Sequence, residues 1–319
     1  MEDYPRNLAE LERRFACDEA CRDYLMFLRW PDGFRCPRCG GDKFWPQRIT
    51  LLQCAGCDYQ SSVIAGTMFQ DTHTPLTLWF RAIWYVTSQK NGASALGVQR
   101  ILGLGSYRTA WAWLHKLRRA MVRLGRDRLQ GRVEVQETFV GGEEDDVRGR
   151  RRGDKSLIVI AVEVEGKRIG RIRLRSIPDA SAASLHPFIA DSVEPGSTLH
   201  TDGWPGYQGL EQKGYRCETP VIGKQPKDAV KLLPHVHLIV ALLKRWLLGT
   251  HQGAVSRAYL GYYLDEFTFR FNRRKSRSRG KLFYRLLEQA VNTAPVPFAK
   301  LVSVPESPPT PKPQAVGAT

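Results

Sequence analysis

A multidomain α+β chain is what this sequence predicts: a small metal-bound ribbon, a helical module and a mixed-sheet domain, in that order. Three observations predict it. Two Cys-x-x-Cys pairs lie close together near the N-terminus, residues 75–123 keep a helical period, and from Arg132 the period becomes that of strands. The 319 residues suffice for two or three cores, and a 42% hydrophobic share is that of a globular chain. No apolar run reaches the ~18 residues of a membrane span. The opening MEDYPRNLAELERRF has no apolar signal core, so the expected place is the cytoplasm, with no membrane partner.

Residues 1–66 form the first module. Leu8, Leu11, Phe15, Tyr24, Leu25 and Leu28 make an apolar stripe over a helical opening, where Cys17 and Cys21 read as buried thiols in preference to metal ligands. Cys36-x-x-Cys39 and Cys54-x-x-Cys57 follow, separated by 14 residues. Without an export signal, such spacing points to metal before disulfides. Four thiolates close a tetrahedral shell and leave no position for water, so the expected ion is structural Zn²⁺. A ribbon this short has little core, and the metal should supply its folding energy.

Residues 67–128 read as three helices. Pro75 opens the first, Asn91-Gly92 breaks it, Ser94 starts the second, and Gly103-Leu-Gly105 turns the chain into a third capped by Ser106. That is a helix-turn-helix layout, with Tyr107, Arg108 and Thr109 at the start of the helix that would enter a DNA groove. A plain helical connector shares the pattern. The net charge of +16 sharpens the choice, because it falls in three arginine-rich clusters. The first runs over Arg118, Arg119, Arg123, Arg126, Arg128 and Arg132, the second over residues 148–155, and the third from Arg273 and Arg274 to Lys281. Three such patches favour a polyanion partner, and Arg273 and Arg274 are candidate phosphate contacts.

Residues 129–294 form the third module. VEVQETFVGG, SLIVIAVEVEG and KRIGRIRLRSI read as three strands, the last two joined by a tight Glu165-Gly166 turn. A helix near 180–191 and a short strand STLHTD ending at Asp202 come next. Residues 207–231 are mixed and polar, and Cys217 suggests no chemistry. Leu232–Thr250 reads as a helix with Pro234 in its first turn, Gly249 as its stop, and Val236, Ile239, Val240, Leu243 and Leu247 inside. His237 and Lys244 stand on one face of it, about 20° and ~10 Å apart. A longer amphipathic helix ends in the third basic patch and a last one covers about 281–291. Beyond it, residues 295–319 hold seven prolines and read as a disordered tail.

Three antiparallel strands, a helix, a fourth strand and further helices is the succession of an RNase H-like fold. In such a fold an acid in the first strand approaches one at the end of the fourth, and a later helix adds a third ligand. Here Asp202 ends the fourth strand and His237 follows 35 residues on. The stretches FRCPRCGG, LLQCAGC, SSVIAGTMFQDTHTPLTLWF, VEVQETFVGG, HTDGW, LLKRWLLGTHQGAV and YLDEFTFRFNRR together resemble one family over about residues 10–295. It comprises bacterial insertion-sequence transposases with an N-terminal zinc ribbon before a DDE-type catalytic domain, in the variant with His or Asn as third ligand. The resemblance implies binding of terminal inverted repeats in duplex DNA, strand cleavage and joining to target, and catalytic Mg²⁺ or Mn²⁺. It further implies a homo-oligomer on paired ends, at the nucleoid. Asp202 matches the second acid, His237 the third ligand, and Lys244 the lysine seven positions beyond it.

One position departs. The family strand reads V-E-V-D-E-T-[FY]-V-G-G, and Gln136 stands where its catalytic Asp is expected. Glu137 points to the opposite face, and Glu134 stands on the same face about 6–7 Å along the strand. With Gln136, Asp202 and His237 the site holds one formal negative charge for two divalent ions. The expectation is a copy that cleaves DNA poorly while still folding and binding it. The alternative from another class is a non-catalytic DNA-binding protein, a decayed transposase or regulator.

Overall fold

The computed structural model describes residues 2–48, 50–123, 125–141, 155–218, 232–253 and 255–303, which gather into two compact units. One is built from Met1–Arg123 together with Lys275–Ser303, the other from Leu124–Arg274.

The first unit opens with α1 (Leu8–Arg14), capped by the Asn7 side chain, and α2 (Asp18–Arg29). Leu11, Cys21, Leu25 and Leu28 recur at helical spacing and are buried. A three-stranded antiparallel ribbon follows, β1 (Phe44–Arg48), β2 (Leu51–Cys54) and β3 (Gln60–Ser61) in that spatial order. Its inner face holds Phe34, Cys36 and Cys54 with Trp30, Phe44, Leu52 and Cys57, too small a set to hold a fold unaided. Next come α3 (Leu76–Ser88), α4 (Ala95–Leu102) and α5 (Tyr107–Ala120). The apolar α3 lies at the centre: Trp79 stacks on Trp113 of α5 at 3.7 Å, and Phe80 meets the edge of Phe15. Between α4 and α5, Gly103 takes φ 64°, a left-handed value that ends α4 without a Cβ clash. Ser106 then caps α5 by accepting from the Arg108 N–H at 3.2 Å.

The second unit carries β4 (Arg132–Val140), β5 (Ser156–Glu165), β6 (Arg168–Ser176), α6 (Ala182–Ser192), β7 (Thr198–His200) and β8 (Arg216–Glu218). It ends with α7 (Pro234–His251) and α8 (Leu260–Asn272). Its sheet runs β6-β5-β4-β7-β8, antiparallel across β6, β5 and β4 and parallel from β4 to β8. This is the mixed, RNase H-like arrangement expected from the sequence. Strand alternation sorts β4 between two cores. Val133 and Val135 pack with Leu185, Phe188 and Ile189 of α6, whereas Val140 packs with Ile239, Leu243 and Leu247 of α7. Even positions of β4 therefore face α7. The chain then returns to the first unit as α9 (Arg279–Val291) and α10 (Phe298–Val302).

Several expectations are corrected. β8 lies in the stretch read as mixed and polar, where no strand is named; three residues are too short to show a period, and pairing with β7 defines the strand. Gly249 does not stop α7, which runs to His251 and ends at Gln252 with φ 52°. A mid-helix glycine costs about 1 kcal/mol, less than the buried stripe of α7 gains. The next helix starts only at Leu260, after a single 3₁₀ turn at Arg257–Tyr259. The last helix, expected within 129–294, belongs to the first unit, where Phe283 sits among Phe15, Phe80 and Trp84. Its approach demands glycine: a Cβ on Gly280 would lie 1.7 Å from the Pro5 carbonyl oxygen. The tail expected from 295 is ordered through Ser303, with Leu301 of α10 buried beside Ala112 and Val296; 304–319 lie outside the described residues. No helix among the described residues is long and apolar enough to cross a membrane.

Candidate active site and metal centre

The ribbon brings Cys36, Cys39, Cys54 and Cys57 together, with all four sulfur atoms within 4.8 Å of one another. Cys36 Sγ lies 3.7 Å from Cys57 Sγ, and Cys39 Sγ 3.5 Å from Cys54 Sγ. A tetrahedron with 2.3 Å zinc–sulfur bonds has edges of about 3.8 Å, so the four thiols fit zinc. Each Cys-x-x-Cys turn aims a backbone donor at its first sulfur: Arg38 N–H at Cys36 and Gly56 N–H at Cys54, both at 3.4 Å. The remaining cysteines differ. Burial, then Asp18, pushes the Cys21 thiol up to about 12, and burial with Glu211 does the same for Cys217. Both are inert thiols at neutral pH; Cys17 is exposed.

In the second unit the sequence-derived candidates come from three elements: Gln136 from β4, Asp202 from the chain just after β7, and His237 and Lys244 from α7. β4 pairs with β7 as Val133↔Leu199 and Glu134↔His200. That ladder ends at this pair, two residues short of Gln136 on β4 and two short of Asp202 on the other segment. Asp202 lies two residues beyond the end of β7, where its Oδ1 accepts the Trp204 N–H at 3.1 Å. Above this face runs α7, whose Val236, Ile239, Leu243 and Leu247 are buried against it. His237 is thus one step from the sheet contact. Gln136 Oε1 and His237 Nε2 are both shielded from solvent, and neither has a hydrogen-bond partner. Buried polar atoms are nearly always paired, so two orphans on facing elements point to a group that satisfies both. Carboxylate, imidazole and amide oxygen together suit a hard divalent cation such as Mg²⁺ or Mn²⁺. Among the described residues, however, the zinc cysteines are the one group of three or more His, Cys, Asp or Glu whose ligand atoms converge.

The neighbouring acids have other partners. Glu137 faces α6 and its Oε2 accepts the Tyr207 hydroxyl at 2.8 Å. Glu134 is 2% exposed and receives the N–H groups of His235 and Val236 at 3.0 and 2.9 Å, with His235 Nδ1 at 2.7 Å. Beside it, His200 accepts from Arg132 at Nδ1 (3.2 Å) and donates from Nε2 to Glu218 (2.8 Å). Burial, then Arg132, depresses its pKa, so it is neutral at pH 7. Sequence reasoning gave none of Glu134, His200, His235 or Tyr207 a role.

Lys244 lines a cavity of about 730 Å³ that begins two residues past Gln136, at Thr138 and Val140. Lys155 and Arg257 line it too, with apolar walls from Leu247, Val255 and Leu260 and no acid among its lining residues. Arg257 also donates to the Lys155 carbonyl at 2.9 Å, which ties the entry of α8 to the start of β5. The rest of the 148–155 cluster lies outside the described residues.

The other candidates fare unevenly. Tyr107 and Arg108 are exposed and Thr109 half-buried, yet α5 beyond them is mostly enclosed. Trp111 and Ala112 lie under Val296, Phe298 and Leu301, and the Arg108 guanidinium sits 4.9 Å from the Phe298 ring centre. Only the first turn of α5 is open to a groove. Arg118 of the first cluster is 2% exposed. Arg274 donates to the carbonyls of Ile169, Gly170 and Phe271, and Arg273 lies over Phe269 while donating to its carbonyl. Arg274 ties the end of α8 to β6, which local sequence could not reveal because those carbonyls lie about 100 residues away, whereas Arg273 folds back on its own helix.

A ribbon whose four cysteines fit zinc and an RNase H-like mixed sheet stand in one chain, which defines a metal-bearing ribbon protein with an RNase H-like domain. Comparison with known families agrees. Residues 128–272 match the ISXO2-like transposase domain, and residues 16–60 match the transposase zinc-ribbon domain. A Halobacterium salinarum protein described as an uncharacterized protein in transposable element ISH50 is 25% identical over 282 residues, 81% of this chain and 92% of the relative. The chain belongs to the insertion-sequence transposases that carry an N-terminal zinc ribbon and a DDE-type domain.

Proposed function

We propose that this protein binds the terminal inverted repeats of its insertion sequence and cuts and joins DNA strands at the face shared by β4, Asp202 and α7. The observation that carries this is the pair of buried, unpartnered ligand atoms, Gln136 Oε1 on β4 and His237 Nε2 on the helix packed over that face, with Asp202 following the strand that pairs with β4. Asp202 supplies the carboxylate, and the hydrogen bond from Trp204 fixes its side chain. His237 offers a ring nitrogen from a helix held against the sheet. A divalent cation bound there would polarise the scissile phosphate and activate a water or 3′-hydroxyl. Lys244, with Lys155 and Arg257, would grip neighbouring phosphates as point charges. The cavity of about 730 Å³ that these cations line would be where they meet the DNA backbone. Ribbon, first turn of α5 and homo-oligomer would together hold paired duplex ends.

Gln136 limits the chemistry. An amide contributes one oxygen and no charge, and it bridges two ions poorly. The expected outcome is cleavage and strand transfer on end-containing duplex with Mn²⁺ or Mg²⁺ that rises on the order of a hundredfold in Gln136→Asp. Equal, robust turnover in both chains would defeat the impairment. Inactivity of both, with repeat binding intact, would favour the second reading, a silent DNA-binding protein, which Gln136 itself recommends.

A further inference from the structure

We propose that Glu134 is the positioning residue of this site: its carboxylate sets where α7, and so His237, stands over Gln136 and Asp202. This rests on the reading that those three residues share one metal. Helix α7 has no local cap. Its N-cap is Leu233, which offers no acceptor, and Pro234 at the first position has no N–H. The next two N–H groups, of His235 and Val236, point at Glu134 Oε2, which comes from a strand about 100 residues earlier in the chain. Oε1 receives His235 Nδ1 at 2.7 Å, so that ring nitrogen carries the proton. Three donors converge on one buried carboxylate at the positive end of a helix dipole.

What such a cap does here follows from geometry. The apolar stripe of α7 fixes its distance from the sheet but resists sliding and rotation only weakly, because dispersion contacts have little direction. Directed hydrogen bonds supply the missing axial and rotational register. His237 is one residue past Val236, ~1.5 Å along the axis, so any slip at the cap reaches it undiminished. Lys244 stands ~10 Å beyond His237 along the same rod. Glu134 also sits two residues before Gln136, on the same face of β4, so the strand that carries one donor holds the helix that carries another. The same bonds explain why Glu134 cannot stand in for the missing carboxylate: turning it toward a cation would orphan two buried N–H groups.

The test is Mn²⁺ binding by electron paramagnetic resonance on the full-length, zinc-loaded chain, run in wild type and in Gln136→Asp. Glu134→Gln, Glu134→Ala, His237→Ala and Asp202→Ala are compared, with hydrogen exchange of the α7 first turn measured in each. The expected result is five- to tenfold weaker Mn²⁺ binding in Glu134→Ala, partial rescue in Glu134→Gln, and fast exchange at 235–237 in Glu134→Ala only. Wild-type Mn²⁺ affinity in Glu134→Ala, with binding lost in His237→Ala, would leave the metal site standing and reduce Glu134 to a structural cap. Unchanged Mn²⁺ binding in both His237→Ala and Asp202→Ala would overturn the metal site itself, and this inference with it.

Discussion

The ribbon and the sheet site differ in how their donors are delivered. In the ribbon, four identical thiolates come from two turns only 14 residues apart, and each turn's own backbone braces its sulfur. At the sheet, the candidate ligands come from β4, the chain after β7 and α7, spread over about 100 residues, so only tertiary packing can bring them together. The consequence is an asymmetry of tolerance. The ribbon has almost no core without its ion, whereas the sheet is framed by two cores that do not involve Gln136 or Asp202. A ligand lost from the ribbon unfolds it. A ligand lost from the sheet leaves the fold untouched, which is how a chain can carry Gln136 and still be well formed.

The largest effect should follow from breaking that asymmetry at the ribbon. Chelation or Cys39→Ser is expected to unfold residues 34–61, since zinc supplies on the order of 10 kcal/mol to modules of this kind. Limited proteolysis should then cut within the ribbon while the 124–274 unit stays protected. Asp202→Asn is the counterpart, expected to move thermal unfolding by no more than a few degrees. A zinc-free ribbon that still resists protease, or an Asp202→Asn chain that melts like the ribbon, would erase the distinction.

A smaller effect concerns the cations at the cavity. Lys155→Ala, Lys244→Ala and Arg257→Ala should each lower the slope of log affinity against log salt by about 0.7–0.9, the signature of one phosphate contact. Arg274→Ala, whose guanidinium is committed to three carbonyls, should instead lower stability and leave the slope alone. A slope change on Arg274→Ala with none at the other three would put the DNA on the opposite end of α8.

How much of this was legible in the sequence follows the same division. Cys36, Cys39, Cys54 and Cys57 could be read as one site because the chemistry is encoded in local spacing. The helices from Pro75 to Ala120 were legible through their caps at Ser94 and Ser106. Gln136 and Asp202 could be aligned through family motifs, and strand alternation put Glu137 on the far face. The partners of Glu134 could not be foreseen, because its acceptors serve a helix that begins 100 residues later. For Arg118 and Arg274, composition reads charge as surface, while burial and carbonyl contacts are decided by packing. β8 was illegible because three residues, with only Cys217 turned to the core, become a strand only beside β7.

The finest prediction sharpens the claim that alternation decides which acid can serve the site. Glu137 lies next to Gln136 in sequence but bonds to the Tyr207 hydroxyl in the opposite core. Burial, then Glu137, raises the Tyr207 pKa well above its ordinary value, so the phenol stays protonated and donates. Glu137→Gln keeps an acceptor but weakens this bond, at a cost of about 1 kcal/mol. Over a unit of this size that is a fall of roughly 2–4 °C in Tm. Mn²⁺ affinity, and cleavage in the Gln136→Asp background, should stay within twofold. A tenfold loss of cleavage at unchanged Tm would mean that the strand presents Glu137, not residue 136, to the metal, and that β4 shifts its register by one when DNA is bound. That outcome would reverse the faces of β4, move Val135 out of the α6 core, and expose the cost as lost packing that the unfolding midpoint would then have to register.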